Sequence, residues 1–308
     1  MLAGDDISQA ADSAWAGGLL RAVFPGLEDS QPSRVWVDDA RTLTVETAGG
    51  AVFRIATTEE GAGALVREAA VLSALRGRLS VPVPDVQWQA FPTTLGLPPA
   101  LIGWPRPPGQ PFLPEYFGAI EIRHIATEMG AFLASLHQFP AEDLPALPLD
   151  RPDRWARWDA DRAGVLSRLS EVLQPKKYRR AELWLDRTRA VAASHHESVL
   201  VHTGLSSGSI LVADLLRRIV AIDGWQSAAL GDPAEDAAAL RAFGDRFTRQ
   251  AMASYRVRGG RIDEDFRDRV MAYTGLEALA AAIEAIRIRE EHSITETLRR
   301  LVEIIAAT

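Results

Sequence analysis

The densest group of residues able to do chemistry lies in VLVHTGLSSGSILV, Val199 to Val212. His202 ends a β-prone run, serines follow at 206, 207 and 209, and a second β-prone run begins at Ile210. A His near a Ser can form a nucleophile–base pair when an acid orients the imidazole. Gly204-Leu205-Ser206-Ser207-Gly208 has the letters of Gly-x-Ser-x-Gly, but the elbow that exposes such a nucleophile leads from a strand into a helix, and here a second β-prone run follows. The spacing therefore gives His202 a structural task, bonding backbone around the loop. His195, His196 and Glu197 are metal-ligand types, but they end a helical pattern, where cationic His suits the helix dipole. Other candidates are Arg54 in a strand pattern, Glu68 in a helix pattern, and Asp223, Asp232 and Asp236 downstream of the loop. Taken singly, Arg54 is a strand cation, Glu68 a helix-surface acid, and Asp232 and Asp236 helix-capping acids.

The elements that must position these residues change character along the chain. Arg34 to Thr57 holds three β-rich runs divided by Asp-Asp and Gly-Gly turn signals. EEGAGALVREAAVLSALRGRL then places apolar residues at helical spacing, acids first and Arg last. VPVPDVQWQAF and PALIGW read as two further strands, and the Pro-rich Gly103 to Phe112 as a connector that continues neither regular structure. From about residue 115 to 194 the pattern is helical. Two short stretches of strand follow, around Val199 to Val212 and Arg218 to Asp223, and helix resumes from Pro233.

Composition narrows the function classes. The 308 residues are 47% hydrophobic, enough for a packed interior, and the formal net charge is −7. An acidic chain with scattered Arg does not suit nucleic acid, and its one dense basic run, Lys176 to Arg180, reads as a solvated helix start. With no Cys there are no disulfides or thiolate metal sites. The first fifteen residues carry acids where a leader would be basic, and no apolar stretch reaches the about 18 residues that span a bilayer. The expectation is a cytoplasmic protein with no membrane partner.

Five stretches, in order, resemble the aminoglycoside and macrolide phosphotransferase family of the protein-kinase-like fold. VFRIA is similar to the strand whose basic residue meets nucleotide phosphates, which would be Arg54, and REAAVLSAL to the helix whose acid pairs with it, Glu68. GWPRPPGQP resembles the segment after the hinge, VHTGLSSGSILV the His-Gly-Asp-Leu-x-x-x-Asn-Ile-Leu catalytic loop, and AIDGWQSAALGDPAED the metal turn followed by Gly-Asp-Pro-x-x-Asp. The resemblance implies an α+β two-lobe fold. Its parts would be a β-rich small lobe at 1–103, a connector at 104–112 and a helical lobe at 113–308. It also implies ATP or GTP with magnesium in the cleft, a small-molecule substrate, and Asp232 and Asp236 as braces of the loop.

The departures fall where that chemistry needs side chains. In the family an Asp two residues after the His serves the acceptor hydroxyl, and an Asn five residues later binds metal. Gly204 and Ser209 stand there. The small-lobe turn VDDARTL has two acids and no glycine to let the backbone approach phosphate. Asp223 stands nine positions before Asp232, one more than the family spacing, with Gly224 before Trp225. A gap-free count puts Gly224 on the metal position and turns Asp223 away; a one-residue insertion leaves Asp223 in place. The residues point to a phosphotransferase shell that binds a small molecule or protein without turnover. The alternative is an active ATP- or GTP-dependent O-phosphotransferase whose base is Asp223 or the substrate's own amine.

Overall fold

The structure is a computed structural model that describes residues 13–39, 41–91, 99–144, 154–192, 198–213, 217–289 and 291–307. An antiparallel five-stranded sheet opens the fold. Its strands are β1 (Pro32–Asp39), β2 (Thr42–Thr47), β3 (Ala51–Ala56), β4 (Trp88–Ala90) and β5 (Leu101–Pro105), in spatial order β1-β2-β3-β5-β4. All of β3 is buried because both faces of the sheet are covered. Helix α1 (Ser13–Val23) packs Ala16 and Leu20 against Leu43, Val45, Phe53 and Ile55 on one face. Helix α2 (Glu59–Leu75) packs Leu65 and Ala69 against Val52, Ala56 and Ile102 on the other. This is period-2 alternation: Phe53 and Ile55 face α1, while Val52 and Arg54 face the opposite side.

Thr58 starts α2, its hydroxyl accepting the N–H of Gly61 at 3.0 Å, with Glu59 and Glu60 in the first turn as the helix dipole favours. The buried face of α2 reads Ala64, Leu65, Glu68, Ala69, Leu72 and Leu75. Helical spacing thus carries one acid into the interior, beneath β3. Helix α1 lies in a stretch from which the sequence reading drew no element.

The connector is more regular than its prolines suggest. Strand β5 runs on to Pro105, and Gln110–Pro111 forms a short strand β6 against the large lobe, Gln110 facing Val212. Gly109 makes that turn at φ +115°, and a β-carbon there would stand 2.7 Å from a Val220 methyl.

The remainder is mainly helical: α3 (Ala119–His137), α4 (Arg154–Val172), α5 (Pro175–Ala192), α6 (Ala234–Ala239), α7 (Asp245–Val257), α8 (Phe266–Ile288) and α9 (Glu291–Ala307). Between α5 and α6 lie four short strands, β7 (Val199–Val201), β8 (Ile210–Val212), β9 (Ile219–Ile222) and β10 (Ala229–Gly231). Strand β8 pairs with β6 and β9, and β7 with β10. One core joins α3 and α7 to these strands through Phe132, Leu133, Ile210, Ile222, Phe247 and Tyr255. A second joins α4, α5, α6, α8 and α9. Among the described residues no helix is long and apolar enough to cross a membrane.

Candidate functional site

A cleft of about 480 Å³ lies between the sheet and the β7–β10 region. Strand register builds its roof. Arg34, Glu46, Val52 and Trp104 face one another across β1, β2, β3 and β5, and Trp36, Thr44, Arg54 and Ile102 form the next row. Paired residues share a face, and all of them except Ile102 line the cleft. Arg34 lies over the Trp36 ring at 4.8 Å, and Arg106 approaches Glu46 at 3.7 Å.

Arg54 and Glu68 meet at 2.7 Å, with 5% and 1% of their side chains exposed. Two charges so deeply buried are tolerated only as a pair with further hydrogen bonds. Arg54 Nη1 also donates to Gln226 Oε1 at 3.0 Å, a contact between sheet and large lobe, and Nη2 reaches Thr42 Oγ1 at 3.4 Å. Arg54 is therefore no exposed strand cation. It is a fixed positive charge lining the cleft.

The floor comes from the loop after β7. Asp236, fully buried at the start of α6, accepts the N–H of Thr203 at 2.6 Å and of His202 at 2.9 Å. It also meets His137 Nε2 at 3.1 Å, and His137 Nδ1 lies 3.0 Å from the Tyr255 hydroxyl. Burial alone would raise the Asp236 pKa, but the hydrogen bond and electrostatic pull of His137 and the hydrogen bond from the His202 N–H hold it below the usual carboxylate range. Thr203 sits at φ +65°, a left-handed conformation unusual for a β-branched residue. Bonds from its N–H to Asp236 and from its hydroxyl to the Ser227 carbonyl hold it there.

Asp232 accepts the Ala234 N–H at 3.0 Å and Arg269 Nε at 2.7 Å. Burial opposes the charge of Arg269, but hydrogen bonds to Asp263 and Asp232 outweigh it and raise its pKa. Both acids of Gly-Asp-Pro-x-x-Asp thus face inward to the chain and away from the cleft, fixing the loop and α6.

His202 is buried, with both ring nitrogens engaged: Nδ1 accepts the Gly204 N–H at 3.1 Å and Nε2 donates to the Asp223 carbonyl at 2.9 Å. This arrangement suits the neutral imidazole, and burial lowers its pKa against the opposing pull of Asp236. No hydrogen bond joins His202 to a serine hydroxyl among the described residues, so the imidazole is a brace rather than the base of a Ser nucleophile.

Gly204 and Ser209 both line the cleft. Glycine supplies no proton acceptor there. The Ser209 hydroxyl is turned back on its own loop, accepting the Ser206 N–H at 2.8 Å and donating to the Ser206 carbonyl at 3.0 Å. A metal ligand at this position would first have to give up both bonds.

Asp223 and Gly224 both line the cleft. Asp223 continues the β8–β9 ladder, its N–H donating to the Ser209 carbonyl at 2.8 Å. Gly224 follows at φ +88°, a left-handed turn that absorbs the extra residue. The two sequence counts differ in which of these residues faces the cleft, and both line it. Asp223 Oδ1 accepts the Gly224 N–H at 2.7 Å.

The whole arrangement matches known proteins. A profile described as the phosphotransferase enzyme family fits residues 31–273. The chain belongs to that family. Viomycin phosphotransferase of Streptomyces vinaceus is 27% identical over 257 residues, covering 80% of this chain and 85% of its own. An aminoglycoside phosphotransferase solved with GDP and kanamycin is 21% identical, with a TM-score of 0.74 over 94% of this chain and 98% of that one. The macrolide 2'-phosphotransferase of Brachybacterium faecium is 22% identical, with a TM-score of 0.63 over 93% and 96%. At such identities the solved structures establish the fold, an α+β kinase-like arrangement.

Family membership frames what sequence reasoning reached and missed. Of the residues singled out in the sequence, Arg54, Gly204, Ser209 and Asp223 line one cleft, with Glu68 paired to Arg54 behind it. Sequence reasoning missed Arg34, Trp36, Glu46, Trp104 and Arg106, although stepping by two from Arg54 and pairing strands would have found the roof. It also missed Gln226, whose reach to Arg54 is a long-range contact. His195, His196 and Glu197 lie outside the described residues.

A nucleotide fits the arrangement in part. Arg54, held by Glu68, would be the cation for phosphate oxygens. A magnesium ion carried on a nucleotide needs only one or two protein carboxylates, and Asp223, which lines the cleft, would be the candidate ligand.

Proposed function

We propose that this phosphotransferase-family chain keeps a nucleotide- and small-molecule-binding cleft and has lost efficient phosphoryl transfer. It would act by binding a small molecule or a protein partner. The observation that carries this reading is Gly204. At the point where an acceptor hydroxyl needs a proton acceptor, the chain offers no side chain. Loss of a general base costs about 10²–10⁴ in rate. The inward-turned Ser209 hydroxyl removes a metal ligand as well.

The retained parts are those that grip rather than react. Arg54 and Glu68 would hold phosphate oxygens, Asp223 would hold magnesium, and Asp232 and Asp236 would keep the loop in place. When bound, magnesium would offset charge on the phosphates. Relatives that act on viomycin or bind kanamycin suggest a polar, amine-bearing small molecule as the class of second ligand.

A second reading rests on Asp223. Asp223 lines the cleft together with Ser209, and its carboxylate could serve an acceptor hydroxyl as an unorthodox base. Calorimetry with magnesium-GTP and magnesium-ATP, paired with phosphate-release assays on the same protein, separates the two. Binding without release supports the first reading; release abolished by Asp223→Asn supports the second.

A further inference from the structure

We propose that the helical lobe carries a second small-molecule site, between α5 and α8, and that it takes a small zwitterion of the amino-acid class. The site does not depend on the nucleotide reading, because no residue that lines it also lines the cleft.

The two helices build it with the same spacing. Trp184, Arg187, Thr188 and Val191 stand at i, i+3, i+4 and i+7 along α5, so they share one face. Asp268, Met271, Ala272 and Gly275 repeat that spacing along α8. Gly275 seats the large side chain of the opposite face: a β-carbon there would collide with the Trp184 ring. The indole is therefore pressed onto the α8 backbone. Beside it, the small side chains of Thr188 and Ala272 leave a cavity of about 140 Å³. A space of about 150 Å³ holds a six-carbon ring, so this one suits a short hydrocarbon group whose polar atoms stay at the mouth.

The walls at Trp184, Val191 and Met271 are apolar, and three polar side chains interrupt them. Thr188 is 5% exposed, and its hydroxyl has no partner among the described residues. A helical Thr can bond its hydroxyl to the carbonyl one turn back, as Thr127, Thr274 and Thr297 do here. The Thr188 hydroxyl makes no such bond and is left for the cavity. Arg187 and Asp268 line the same cavity, and neither makes an ion pair among the described residues, with the other or with any third group.

Opposite charges that share one small cavity without pairing leave a gap that a ligand bearing both charges closes. Its carboxylate meets Arg187, its ammonium meets Asp268, and its side chain enters against Trp184 and Met271. The Thr188 hydroxyl then takes a remaining lone pair or N–H of the ligand. A ligand with one charge answers only one of the two helices. An α-amino acid with an apolar side chain answers both and fills the interior.

Calorimetric titration of the intact chain with leucine tests the assignment. Isoamylamine and isocaproate, which keep the hydrocarbon and one charge each, are titrated beside it. Leucine should bind with a Kd of about 1 mM, reasonable for so few atoms. Each one-charge analogue should bind roughly 5- to 10-fold more weakly, the yield of one partly exposed charged contact. Arg187→Gln and Asp268→Asn should each weaken leucine by the same factor. The Arg187→Gln protein should also bind leucine no better than isoamylamine. Both residues are exposed, so the variants should keep the parent's melting temperature. Leucine binding no tighter than its analogues, or equally well to parent and variants, would overturn the zwitterion. Absence of any binding heat at about 10 mM leucine, ten times the expected Kd, would remove the site altogether.

Discussion

A β-carbon placed on Gly204 would stand 3.1 Å from the carbonyl oxygen of Gly224. Position 204 and the turn at Gly224 thus share one space. A side chain at 204 needs the left-handed turn at Gly224 to shift by a few tenths of an ångström.

That relationship makes a rescue experiment specific. The double variant Gly204→Asp, Ser209→Asn should lose about 1 kcal/mol of stability, the typical cost of a crowded substitution. It should also hydrolyse nucleotide about 10² faster than the parent, the low end of general-base catalysis. Urea denaturation and a phosphate-release assay read the two effects. Hydrolysis no faster than the parent would place the lesion outside these two side chains.

Stability should fall with acid in two stages. The pKa of folded His202 lies below its ordinary 6.5 because burial disfavours the charged ring. As pH falls through 6.5 the unfolded chain takes up a proton that the folded chain refuses, so folding weakens. Protonation would also put a hydrogen on Nδ1, against the Gly204 N–H. Asp236 is held below its ordinary 3.8, so its contribution is complete above that value and is lost as pH drops beneath it. Denaturation midpoints between pH 7.5 and 3 should show both losses. His202→Asn should remove the first and leave the second; an unchanged first stage would show that other groups cause it.

The buried pair at the cleft should behave asymmetrically. Glu68→Ala strands the Arg54 charge in the interior and should cost about 3–5 kcal/mol, as broken buried pairs do. Arg54→Met with Glu68→Leu removes both charges and should recover most of that loss while abolishing nucleotide binding. A Glu68→Ala protein as stable as the parent would mean that Gln226 and Thr42 suffice for Arg54.

Much of the fold was legible in local pattern. The alternation of Ala51–Ala56 and the helical spacing around Glu68 put Arg54 and Glu68 on facing surfaces, and the structure joins them at 2.7 Å. The loop was readable because His202, Leu205, Ile210 and Leu211 keep its apolar and bracing positions. What could not be read depended on tertiary contacts. The one added residue, Gly224, makes a left-handed turn, which a strand-face argument treats as a shift of register. The contact of Gln226 with Arg54 spans 172 positions, beyond any local signal. The hydroxyl of Ser209 could have faced a metal or its own loop, and only the geometry of Ser206 decides between them.

The central claim is that the cleft grips nucleotide but does not transfer its phosphoryl group. The most direct measurement incubates the unmodified chain with magnesium-GTP or magnesium-ATP and amine-bearing acceptors, viomycin and kanamycin among them. Mass spectrometry then follows each acceptor for added phosphate. The account predicts no product above a no-protein control. A phosphorylated acceptor forming in proportion to protein concentration would contradict it.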